Sequence, residues 1–147
     1  MRSLANMLPD NETIHRRIPL NAVFTPSDPP RPPWQSFRPR DPNSKNPSDA
    51  GDVDGISVDR AQLRTAQETS RGHNGKECLV VALQIIDVRN TKDKNEAMGM
   101  DVVAKPTTDN LAHAVIPQLN TTEYKTNKSQ LTEWAEGLAS KCIRVFP

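Results

Sequence analysis

Ten of the thirteen prolines in this 147-residue chain fall before residue 48, eight of them between Pro26 and Pro47. Proline fixes φ, donates no backbone hydrogen bond and pushes its predecessor toward extended geometry. Neither a helix nor an internal strand survives that density, so residues 25–52 read as an extended, partly polyproline segment. Trp34 and Phe37, a third of the chain's six aromatics, interrupt its polar texture. A solvated linker has no use for such rings, so both are expected to anchor the segment on a core. The chain thus divides into a Pro-rich N-terminal arm, 1–52, packing on an α+β core, 53–147. Ahead of the prolines, residues 13–24 leave room for a short strand stopped at Pro19.

Beyond residue 53 the texture changes. GISV after Gly55 is a short strand, and DRAQLRTAQETS opens with Asp59 three before Gln62, a capping-box pattern for a surface helix. ECLVVALQIIDV, 77–88, is apolar on both alternating sets, as a central strand covered on both faces would be. MDVVAK and AHAVIP are two further strands. NKSQLTEWAEGLASKC repeats Leu131, Trp134, Ala135, Leu138 and Cys142 at helical spacing, with Asn127 and Gln130 as its cap. IRVF closes the chain as a strand. The expected fold class is α+β: a small mixed sheet of four to six strands, two helices and the arm.

Composition excludes several function classes. The formal net charge is +1, and residues 1–52 carry seven Lys/Arg against six Asp/Glu, so no basic half favours nucleic acid or an anionic membrane. No apolar run approaches the roughly 20 residues that span a bilayer, and the start lacks a signal peptide's apolar stretch. The expectation is a cytoplasmic protein in which Cys78 and Cys142 stay reduced. His15, His73, His113, Cys78 and Cys142 show no paired ligand spacing, so neither a metal nor another cofactor is expected.

Several motifs together resemble a family of small bacterial proteins: RRIP at 16–19, WQSF at 34–37, DGISV at 54–58 and NLAHAVI at 110–116, spread over roughly residues 14–117. The resemblance implies a bacterial, cytosolic setting and assigns no catalytic residue.

Candidate sites follow from residue chemistry. His113 lies between two alanines. It is either a hydrogen-bonded histidine on the less buried face of a strand or a working base made accessible by small neighbours, with Asp109 or Asn110 to orient it. Ser57, on a strand expected to run into a helix, lacks the Gly-x-Ser-x-Gly pattern because Asp59 holds the second glycine position, which argues against serine hydrolase chemistry. Arg16 and Arg17 are solvated surface charges or an anion site.

Two functions from different classes remain. In the first, a non-enzymatic accessory module binds a protein partner, one encoded nearby in a defence or toxin–antitoxin type system, through Trp34, Phe37, Arg38 and Arg16, residue types suited to interface anchors. In the alternative, a small ADP-ribosyltransferase-like enzyme uses NAD with Arg17, Ser57 and His113 in its cleft. Its customary late glutamate then has only Glu123 and Glu133 as candidates.

Overall fold

The computed structural model describes residues 7–40, 51–71, 77–92 and 99–147. Its fold is α+β: one six-stranded sheet with four α-helices. The strands are β1 (Thr13–Ile18), β2 (Ile56–Arg60), β3 (Leu79–Gln84), β4 (Val103–Ala104), β5 (His113–Ile116) and β6 (Ile143–Phe146). The helices are α1 (Ala66–Arg71), α2 (Ile85–Asn90), α3 (Thr121–Thr126) and α4 (Lys128–Lys141). The strand order is β4-β5-β2-β1-β3-β6, and every pairing is antiparallel rather than mixed.

β1 stands inside the sheet, between β2 and β3. Residue 53 therefore marks a change of texture but no boundary of packing: the segment before it supplies a central strand. Trp34–Phe37 form a single 3-10 turn packed against α4, with Phe37 fully buried and Trp34 half-buried. Residues 41–50 of the Pro-rich stretch lie outside the described residues.

Register sorts the side chains. Ile14, Ile18, Ile56, Val58, Leu79, Val81, Leu83, Ala114 and Ile116 share one face and form a single core cluster with Leu131, Trp134, Ala135 and Leu138 of α4. Each Ile, Leu or Val among them contributes about 1.5–3 kcal/mol of burial. On the other face, α1 packs across β1, β3 and β6 and covers Val80 and Ala82. Among the described residues no helix packs comparably over the β2–β5 half of that face, and a cleft opens there.

Four local expectations are corrected. The apolar run 77–88 is two elements: β3 ends at Gln84, and Ile85–Asn90 is helical. The carbonyls of Glu12 and Asp10 accept the Ile85 and Ile86 N–H groups, tying the turn into α2 to the chain before β1. The first helix starts at Ala66 rather than Asp59. Its capping box is Thr65 and Glu68, which exchange side-chain-to-backbone hydrogen bonds of 3.0 and 3.1 Å. Asn127 precedes α4 without a side-chain capping bond. α3 was not expected at all, and Asn120 caps it by accepting the Glu123 N–H at 2.8 Å.

Gly55 sets the entry to β2. Its φ of +121° is open to glycine, and a Cβ there would collide with the Ile116 carbonyl of β5. That close approach holds the following residues, Ser57 among them, against β5.

Candidate functional site

β1 and β2 pair only at Ile14–Arg60 and His15–Asp59, then diverge. Arg16 fills the fork: its Nη1 donates to the Ser57 carbonyl at 2.7 Å and its Nε to the Ser36 carbonyl at 3.1 Å. It thereby satisfies a strand carbonyl that β1 no longer reaches. Burial lowers the Arg16 pKa, Asp52 opposes this, and Arg40 and Arg17 add to it. A guanidinium keeps its charge through such changes.

On the polar face Asp59 is the hub. It is the register partner of His15 on β1 and of His113 on β5. Its Oδ2 accepts from Arg64 at 3.0 Å and from Thr69 of α1 at 2.8 Å, and its Oδ1 accepts from Asn110 at 2.8 Å. Asp59 is thus a buried carboxylate that ties α1 and the loop before β5 to the sheet, not a helix cap. Sequence reasoning missed this role. The available signal was a charged residue in strand phase with Ser57, on the face opposite Val58.

His113 is oriented by the backbone rather than by Asp109 or Asn110. Its Nδ1 lies 2.8 Å from the Lys105 carbonyl and its Nε2 lies 3.2 Å from Ser57 Oγ. A carbonyl only accepts, so a neutral ring carries its proton on Nδ1. The Nε2 lone pair then faces the Ser57 hydroxyl. The geometry matches the order nucleophile, base, orienter, with a main-chain oxygen in the third place. It arises from two strands side by side, without the strand–turn–helix elbow whose absence argued against serine chemistry.

The cleft in front of this pair has a volume of about 1180 Å³. It brings together Arg17, Ser57 and His113, three candidates from distant stretches, and also admits Arg16 and Arg38. Its lining holds six Arg/Lys side chains (Arg16, Arg17, Arg38, Arg40, Arg64, Lys128) against three carboxylates (Asp52, Asp59, Asp109), so its field favours anions. Arg17 Nη2 donates to Cys78 Sγ at 3.2 Å. Tyr124 lines the wall beneath Lys128, whose ammonium sits 5.3 Å from the ring centre. His15 is buried beside Asp59. Burial lowers its pKa and Asp59 partly restores it, which leaves the ring neutral at pH 7.

Trp34 and Phe37 are absent from the cleft lining, and neither Glu123 nor Glu133 reaches it. Among the described residues no group of three or more His, Cys, Asp or Glu is placed to hold a metal ion. His73 lies outside them. No described helix is long and apolar enough to cross a membrane. Comparison with protein-family models, with curated proteins and with solved structures gives no match.

Proposed function

We propose that the protein is a small enzyme whose arginine-lined cleft takes a phosphate-bearing ligand and whose Ser57–His113 pair performs the chemistry on it. The supporting observation is convergence. Arg17, Ser57 and His113 belong to stretches far apart in sequence, and they line one cleft with a surplus of positive charge. Guanidinium groups suit phosphate because their paired N–H donors match its oxygens. A His–Ser hydrogen bond beside them supplies a base and a nucleophile.

ADP-ribosyl transfer from NAD is the less supported version of this reading. Asp59 already accepts from three donors, and neither Glu123 nor Glu133, the candidates for that chemistry's customary late glutamate, lines the cleft. The partner-module reading loses an anchor, since Phe37 is consumed by the core.

Calorimetric titration with inorganic pyrophosphate, ADP and NAD tests the proposal. We expect saturable binding of at least one, weakening as salt rises and falling severalfold in R17Q and R38Q. Absence of heat and of any melting-temperature shift with all three at millimolar concentration sinks it.

A further inference from the structure

A second, smaller recess of about 310 Å³ adjoins the cleft. The two share Asp52, Ser57, Thr107 and His113, so the Ser57–His113 pair stands on their common border. The recesses differ in chemistry. Where the cleft is lined by arginines, the smaller recess is walled by Val53, Gly55 and Val115, and its single cation, Lys105, is tied to Asp54 at 2.6 Å. A border of this kind fits a two-part substrate: a charged portion on one side, a small uncharged group on the other, and the bond between them at Ser57 Oγ.

We infer that Ser57 is a covalent nucleophile and that the small recess accepts an acyl group, so that the substrate class is an acyl ester of a phosphate-bearing alcohol. This rests on the reading of Ser57–His113 as the reactive pair, but its test does not require the anionic portion.

The step balances without a redox partner. Ser57 Oγ attacks the acyl carbon while its proton passes to His113 Nε2, and the Nδ1–H stays donated to the Lys105 carbonyl. The ester C–O bond breaks, and the alcohol leaves with the proton from Nε2. Water then attacks the Ser57 ester, giving one proton to Nε2, and Ser57 departs with that proton restored. Ester and water become acid and alcohol.

The recess has about 310 Å³ against about 1180 Å³ for the cleft and is walled in part by Val53 and Val115, so it takes the smaller and less polar part of the substrate. Lys105 has two separable roles. Its carbonyl orients His113, while its half-exposed side chain closes the recess against Asp54.

The experiment uses the full chain with para-nitrophenyl acetate, butyrate and octanoate, following nitrophenol release and the intact mass after acid quench. Expected are one acyl increment on the peptide carrying Ser57 and its loss in S57A. An increment that persists in S57A, or no increment on any ester, overturns the inference. If that happens while pyrophosphate or ADP still binds in an Arg17-dependent way, the binding cleft survives and only the covalent chemistry falls. If neither is seen, both readings fall.

Discussion

His113 and Ser57 are diagonal neighbours across two strands rather than opposite ones. Ser57 faces Val115 in the ladder and His113 faces Asp59, so the imidazole reaches along β5 to meet the Ser57 hydroxyl at 3.2 Å. Diagonal pairs on one face are within range only of long side chains. The alanines beside His113 belong to the opposite face: Ala112 and Ala114 are buried there, while the ring shares the polar side with Ser57 and Asp59.

His113→Gln separates site from scaffold. Glutamine keeps polarity and approximate length but supplies neither the ring nor its paired nitrogens. Because His113 is only half-buried, stability should change by less than about 1 kcal/mol, while Ser57 acylation falls by at least about 100-fold. Denaturant melts beside the ester assay check this. A large stability loss with normal acylation of the folded fraction would make His113 structural.

His15 should make stability depend on pH in a defined direction. Burial holds its folded pKa below the ordinary 6.5, so on acidification the unfolded chain takes up the proton first. Stability then falls as pH drops below about 6.5 and levels off once the folded ring titrates as well. In H15N that part of the slope should vanish. Urea midpoints at pH 7.5, 6.5 and 5.5 on both proteins give the comparison, and parallel curves would show that His15 titrates alike in both states.

β3 is buried on both faces up to its last residue. Leu83→Ala should cost about 2–4 kcal/mol, and Val81→Ala a comparable or smaller amount, because each empties space in the core cluster. Gln84→Ala, at the exposed end, should stay within about 0.5 kcal/mol. Equal losses at all three positions would contradict the face assignment.

The two cysteines should differ in reactivity. Burial pushes the Cys142 thiol up to about 12, and its Sγ is held on the Ala139 carbonyl. Cys78 is partly exposed beside Arg17. A thiol-reactive disulfide reagent at neutral pH should modify Cys78 in the folded protein and Cys142 only after denaturation. Modified Cys78 should also weaken pyrophosphate binding, because the bulky adduct displaces the Arg17 guanidinium. Equal labelling rates would mean that the last turn of α4 opens readily.

Local physics was enough to read β3, α4, the strands around Ser57 and His113, and the anchoring of the Phe37 turn, since alternation, helical spacing and an aromatic in a polar stretch are properties of contiguous residues. Even there, a twelve-residue apolar run did not show where strand gives way to helix. Periodicity is silent on that, and the end of β3 is decided by the carbonyls of Asp10 and Glu12, more than 70 residues earlier. The candidate residues Arg17, Ser57 and His113 were legible by chemical type. Their meeting was not, because it depends on the order β5-β2-β1 and on a register in which one residue's slip would turn each side chain to the other face. Asp59 shows the same limit most plainly: in sequence it looks like a helix cap, and only strand pairing makes it the carboxylate between two histidines.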